Sequence, residues 1–311
     1  MKRVALLFPG QGSQKVGMGR DFYDNDPLAK ELVEAASERL KIDYTKLLFT
    51  ENDDLAKTAF TQPAILLVSL IAKELFDKAG ARYDARYALG HSLGELSALC
   101  AAKALDTIDG VELVHNRGKL MQQASEGAHG GMMVVMGLAD EVVEDICSKA
   151  RVEGKQVWPA NYNSDGQLVV AGIKSDLQAM ESVFKEAGAK RALLLNMSVA
   201  SHCPLMQKAV APLREFLERF IQESFAMPVV SNVTAKPYST KGEAMELLAQ
   251  QLIKPVLYKQ SIKNIEEDVD IFIEFGEGSV LKGLNRRITK KPTLSVSDMK
   301  SLEAALAALE E

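Results

Sequence analysis

The sequence predicts an α/β fold on a parallel sheet, with a small subdomain inserted into it. Three observations carry that expectation. Short apolar runs alternate with helical periodicities, the texture changes after residue 125 and reverts near 199, and one glycine-bracketed serine stands where a strand turns into a helix.

Residues 4–8 form the first apolar run and precede a glycine-rich turn. Helical spacing follows at 27–40 and 63–79, and Tyr87, Ala88 and Leu89 make a short buried strand before helices at 94–104 and 108–125. "EGAHGG" at 126–131 has the composition of a flexible hinge. Beyond it, 132–136, 157–160, 168–171 and 191–195 are strand-like, with helices at 139–150 and 175–187 between them. Two β-α-β halves in so short a span predict a ferredoxin-like subdomain over 126–198. A helix at 204–222, a strand at 227–231, a helix at 242–253, a strand at 269–275 and a helix at 279–287 resume the α/β pattern. Leu302, Leu306 and Leu309 mark a packing helix over 299–311, so 1–125 and 199–311 are expected to form one large domain.

Composition narrows the function. A chain of 311 residues, 47% hydrophobic and 25% charged, has ample length for a large core. A net charge of −5 argues against nucleic acid as a partner, which calls for a basic face. Cys100, Cys147 and Cys203 are few, odd in number and far apart, which suits reduced thiols in a cytoplasmic protein and neither a disulfide framework nor a CxxC metal site. The apolar run after Met1-Lys2-Arg3 is too short for a secretory signal, and the longest uncharged run, 58–72, is 15 residues with a proline inside, too short to span a membrane.

Gly90-His91-Ser92-Leu93-Gly94 matches the G-x-S-x-G elbow, a strained strand-to-helix turn that exposes a serine hydroxyl. Glycines are required where neighbouring backbone comes too close for a Cβ. Ser92 would then stand at a helix N-terminus, whose free N–H groups favour developing negative charge. The pattern makes the large domain α/β-hydrolase-like. The second glycine cluster, "FPGQGSQKVGMG" at 8–19, fits no nucleotide loop: Lys15 stands where a dinucleotide fingerprint needs glycine or alanine, and Met18 where a phosphate loop needs lysine. Around Gln11 it leaves the backbone unshielded, an oxyanion-hole feature.

A serine hydroxyl needs a base. Of four histidines, His91 adjoins Ser92 but diverges from it on an elbow, and His115 and His129 read as core or solvent positions. His202 in "SVASHCPLM" follows a strand, precedes a proline-started helix and lies downstream of the serine, the order of α/β-hydrolases. Cys203 beside it carries no cysteine-protease signature. Asp165 and Asp176 lie between Ser92 and His202, but no spacing selects either as a triad carboxylate.

"FPGQGSQ", "GHSLGE", "HNRGKLMQ", "NYNS", "VASH", "SNVTA", "QLIKPV" and "FGEGSVLKGL", in that order, resemble the malonyl-CoA:acyl carrier protein transacylases of type II fatty acid synthesis along almost the whole chain. The resemblance implies that Ser92 takes the malonyl group as an ester and hands it to the phosphopantetheine thiol of holo acyl carrier protein, with His202 as base. It implies an oxyanion hole of the Gln11 and Leu93 backbone N–H groups. Arg117 would pair with the malonyl carboxylate, a geometry that a planar guanidinium suits, although the helix pattern alone makes Arg117 a surface residue. A backbone carbonyl at Gln251 would orient the histidine in place of a carboxylate. No metal or redox cofactor is implied.

Leu93 after the serine resembles the malonyl rather than the methylmalonyl class, while "VASH" partly resembles the "YASH" of methylmalonyl domains. An acidic carrier protein calls for a basic docking surface. Lys190-Arg191 and the Arg286-Arg287 pair of "KGLNRRITKK" are the candidates for carrier-protein or CoA contact, and a solvated surface is the plain alternative for each. The expected protein is a monomeric cytoplasmic acyltransferase that binds no membrane. A serine hydrolase of similar fold and a carrier-binding scaffold without turnover are the competing readings.

Overall fold

The structure, a computed structural model, describes residues 1–126, 129–197 and 199–310. The first segment runs β1 (Arg3–Phe8), α1 (Arg20–Asn25), α2 (Pro27–Leu40), α3 (Tyr44–Phe49), α4 (Thr58–Lys78), β2 (Asp84–Gly90), α5 (Gly94–Ala101) and α6 (Thr107–Ser125). The middle segment runs β3 (Gly130–Met136), α7 (Asp140–Val152), β4 (Val157–Ser164), β5 (Gln167–Ile173), α8 (Lys174–Glu186) and β6 (Arg191–Leu194). The last runs α9 (Gln207–Phe220), β7 (Val229–Val230), β8 (Pro237–Tyr238), α10 (Lys241–Gln251), α11 (Tyr258–Ile265), β9 (Ile271–Phe275), α12 (Val280–Asn285), β10 (Thr293–Val296) and α13 (Met299–Glu310).

Two sheets result. The large one has the order β10-β9-β1-β2-β7-β8 and is parallel except for β8. Its central strand β1 (RVALLF) is apolar throughout after Arg3, as a strand covered on both faces must be. The small sheet, β4-β5-β3-β6, is antiparallel with α7 and α8 packed on it, a ferredoxin-like unit. The fold is therefore α/β, with an α/β-hydrolase-like sheet and an inserted antiparallel one.

Several elements depart from the periodicity reading. Helix α4 starts at Thr58, five residues before Pro63. A proline in the sixth helical position removes the N–H that would reach the Ala59 carbonyl. His115 on α6 satisfies that carbonyl instead, its Nδ1 donating at 2.7 Å, so this histidine is a core residue with a defined task. Helix α4 is also long and apolar enough to cross a bilayer, but 89% of that stretch is buried inside the protein. Helices α1 and α3, six residues each, and the short strands β8 and β10 carry no usable period, while α11 buries Tyr258, Ile262 and Ile265 in helical spacing. The helix expected at 204–222 is a 3-10 turn, Pro204–Met206, followed by α9. Of the expected hinge, Gly130 and Gly131 belong to β3, and Gly127 and Ala128 lie outside the described residues.

Candidate active site

Strand β2 ends at Gly90 and α5 begins at Gly94, so Ser92 occupies the turn, with φ of 54°. A left-handed conformation in a non-glycine residue stores strain that surrounding contacts must hold. The contacts are backbone on backbone: a Cβ on Gly90 would lie 2.2 Å from the Gly94 carbonyl carbon, and one on Gly94 would lie 2.0 Å from the Phe8 oxygen of β1. Asn232 braces the turn from the far end of the chain. Its Oδ1 accepts from the Ser92 N–H at 2.7 Å and its Nδ2 donates to the Gly90 carbonyl at 2.8 Å.

His202 sits after β6 and is itself left-handed, with φ of 61°. Its Nδ1 lies 2.7 Å from the Gln251 carbonyl oxygen, which only accepts, so the proton is on Nδ1 and Nε2 is bare. The Ser92 Oγ is 2.7 Å from that Nε2. Burial, aided by the Arg117 charge, lowers His202 to about 3, which keeps the ring neutral. A neutral imidazole facing a hydroxyl can take its proton.

Arg117 is 1% exposed, which corrects the surface reading of its helix. Its Nη2 donates to Ser92 Oγ at 3.3 Å and to Gln251 Oε1 at 3.0 Å, its Nη1 donates to Gln62 Oε1 at 2.7 Å, and its Nε has no acceptor among the described residues. Burial lowers it to about 10, so it stays charged at neutral pH. A cavity of about 270 Å³ opens on Ser92, His202, Arg117, Gln11 and Leu93. Among the described residues, neither the Gln11 nor the Leu93 backbone N–H has an acceptor, so both are free to face an oxyanion. The size suits a short acyl thioester rather than a long chain.

The structure separates other candidates from this site. Asp165 pairs with Lys259 and Lys263, and Asp176 accepts from the Gln156 N–H, so neither is the partner of His202, whose Nδ1 donates to the Gln251 carbonyl. Burial raises the Cys203 thiol to about 12, and it donates to the Ala200 carbonyl, which leaves no thiolate. His91 lines the same cavity, but its Nε2 donates to Asn163 Oδ1 of β4 at 2.8 Å, so it is not the partner of the Ser92 hydroxyl. Lys190, Arg191, Arg286 and Arg287 are exposed and line no part of the cavity; Arg286 and Arg287 border a groove that also holds Glu266 and Glu267. Among the described residues, no cluster of three or more His, Cys, Asp or Glu could hold a metal ion. Gln62, Glu95 and Asn232 were not singled out from the sequence. Two of them sit inside "GHSLGE" and "SNVTA", but nothing local signals their partners.

An acyl transferase domain matches residues 5–306, so the chain is an acyltransferase. It is 38% identical over 314 residues to the malonyl CoA-acyl carrier protein transacylase of Bacillus subtilis, covering 100% of this chain and 98% of that protein. The Escherichia coli K12 protein of the same name is 40% identical over 315 residues, with both chains fully covered. The Helicobacter pylori malonyl-CoA:acyl carrier protein transacylase structure superposes with a TM-score of 0.96 at 48% identity, covering 100% and 99% of the two chains. A malonyl-transacylase solved with its type II PKS acyl-carrier protein gives 0.94 at 37% identity, over 98% and 99%. Within the acyltransferases, this chain belongs to the family of malonyl CoA-acyl carrier protein transacylases.

Proposed function

We propose that the protein transfers the malonyl group of malonyl-CoA to the phosphopantetheine thiol of holo acyl carrier protein through a malonyl ester on Ser92. The observation that carries this reading is the Ser92 hydroxyl, set 2.7 Å from a bare imidazole nitrogen and 3.3 Å from a buried guanidinium. His202 takes the Oγ proton as Oγ attacks the thioester carbonyl. The oxyanion rests on the N–H groups of Gln11 and Leu93, the C–S bond breaks, and the proton passes to the CoA sulfur. The carrier thiol then repeats the steps in reverse, a ping-pong cycle whose atoms balance without a metal or redox cofactor. Arg117 holds the malonyl carboxylate.

The Gln251 carbonyl orients His202 and stabilises its cation less than a carboxylate would, which favours transfer over hydrolysis. The protein is read as a monomeric cytoplasmic enzyme that binds no membrane, and α4, the one helix among the described residues apolar and long enough to span a bilayer, lies in the core. Residues 1–125 and 199–311 are read as the catalytic domain and 126–198 as its subdomain. The exposed pairs Lys190-Arg191 and Arg286-Arg287 are proposed contacts for the acidic carrier or for CoA; Arg286 directly follows α12, whose Val280 and Leu281 wall the cavity.

Intact-protein mass spectrometry after mixing with malonyl-CoA tests the intermediate. The wild type is expected to gain one malonyl group that holo carrier protein removes, and Ser92→Ala to gain none. A malonyl adduct on Ser92→Ala protein takes Ser92 out of the mechanism.

A further inference from the structure

Glu95, in the first turn of α5, is fully buried and lines no part of the cavity, yet it is bonded to Asn232 and Gln251, which brace the Ser92 turn and hold His202 and Arg117. Its Oε2 accepts from the Asn232 backbone N–H at 2.9 Å and from Gln251 Nε2 at 2.8 Å, and its Oε1 accepts from the Tyr238 hydroxyl at 3.1 Å. The other end of the same Gln251 amide, Oε1, accepts from Arg117. One amide dipole therefore stands between the carboxylate and the guanidinium, turned the favourable way toward both. Arg117 makes no direct ion pair among the described residues, and Glu95 is the anion whose field acts on it.

A malonyl carboxylate arriving at Arg117 would place two buried anions around one cation. Such an excess is relieved when one anion takes a proton. Glu95 can do so at one oxygen only. The two donors on Oε2 are N–H groups that cannot reverse, whereas the Tyr238 hydroxyl on Oε1 can turn and accept. Burial already lifts the Glu95 carboxyl to about 7, so a second anion nearby is enough to complete its protonation at working pH.

We propose that Glu95 is a specificity-determining positioning residue, the counter-charge of Arg117 in the empty site, and that it takes up one solvent proton at Oε1 when a substrate carboxylate pairs with Arg117. Loading then reads: Ser92 hydroxyl, malonyl-CoA, the Glu95 carboxylate and one proton give malonyl-Ser92, free CoA thiol and neutral Glu95. This rests on Arg117 being the carboxylate partner. The titratable groups facing Glu95 are Arg117 on α6, Tyr238 on β8 and, beyond them, His202 and Glu243 on α10. Burial holds Tyr238 far above its ordinary value and His202 far below, Arg117 stays charged, and hydrogen bonds lower Glu243, so Glu95 is the group that changes charge near neutrality.

The test is the ratio of kcat/KM for malonyl-CoA to that for acetyl-CoA, with holo carrier protein as acceptor, between about pH 6 and about pH 8.5. Both substrates share CoA, His202 and the acceptor thiol, so those ionisations cancel in the ratio. Wild type is expected to lose malonyl preference as pH rises above neutrality, by several-fold and up to about tenfold per pH unit, and Glu95→Gln to give a pH-independent ratio. A merely structural Glu95 would slow both substrates together and leave the wild-type ratio level. Should Glu95→Gln fail to fold, an indicator dye decides on wild type alone, with proton uptake expected on loading from malonyl-CoA and none from acetyl-CoA. A level wild-type ratio, or equal uptake from the two substrates, overturns the proposal. If Arg117→Ala leaves the ratio unchanged at every pH, the failure lies instead in the carboxylate pairing.

Discussion

Ser92 and His202 share an unusual backbone, both left-handed without being glycine, but the two turns are held by different means. At Ser92 the strain is clamped by chain crossing chain: Gly90 against Gly94, and Gly94 against the end of β1. At His202 the ring is held by a single hydrogen bond to the carbonyl of Gln251, 49 residues away, and by the serine it serves. The first turn is fixed by backbone crowding at the glycines that flank the serine, with Asn232 as a brace, and the second by hydrogen bonds to partners brought in by the fold. A geometry made by local crowding tolerates no added atom, whereas one made by a distant partner tolerates substitution nearby and depends on that partner.

The largest effect is expected at the groups the two turns present. His202→Ala should lower transfer about 10²–10⁴-fold for malonyl-CoA and acetyl-CoA alike, since both lose the base, with the melting temperature little changed. Near-normal turnover would give the base to another group. Gly94→Ala should cost about 3 kcal/mol or more in chemical denaturation, because its Cβ would meet the Phe8 oxygen at 2.0 Å and the elbow would have to open. Cys203→Ala, beside the histidine, removes only a thiol bonded to the Ala200 carbonyl and should cost about 1 kcal/mol. Equal losses at the two positions would erase the contrast between the turns.

A smaller signature is one of constancy. An ordinary histidine base gains its proton, and activity falls, as pH drops through about 6.5. His202 is lowered to about 3 by burial, so it stays neutral as pH falls and acetyl transfer should hold level from about pH 7.5 to about pH 5. An acid limb near the ordinary histidine value would mean that the ring is wetter than its 2% exposure indicates.

The same contrast decides what could be read in advance. The elbow was legible because its glycines are neighbours of the serine, and β1, β2 and the inserted β-α-β halves were legible because their apolar periods are local. His202 was selected by chain order and resemblance. Arg117 looked like a surface residue because its helix face is set by α4 and by the elbow, neither of which the periodicity of α6 encodes. Gln62 meets Arg117 across 55 positions, Asn232 meets Ser92 across 140, and Glu95 meets Asn232 across 137, so none of these partnerships leaves a local trace. His115 shows the converse: without knowing that Pro63 frees a carbonyl inside α4, nothing separates a core histidine from a solvated one.

Arg117 bears most directly on the claim that one hydroxyl is poised between a base and a carboxylate clamp. Removing the guanidinium should cost malonyl transfer about 2–5 kcal/mol, because the substrate carboxylate is left buried and unpaired, and should cost acetyl transfer nothing. Arg117→Lys should restore malonyl transfer only in part, since an ammonium lacks the planar fork. The measurement is kcat/KM for malonyl-CoA over that for acetyl-CoA, with holo carrier protein as acceptor, in wild type and Arg117→Ala. The account expects the ratio to collapse or invert; a ratio that stays the same would contradict it.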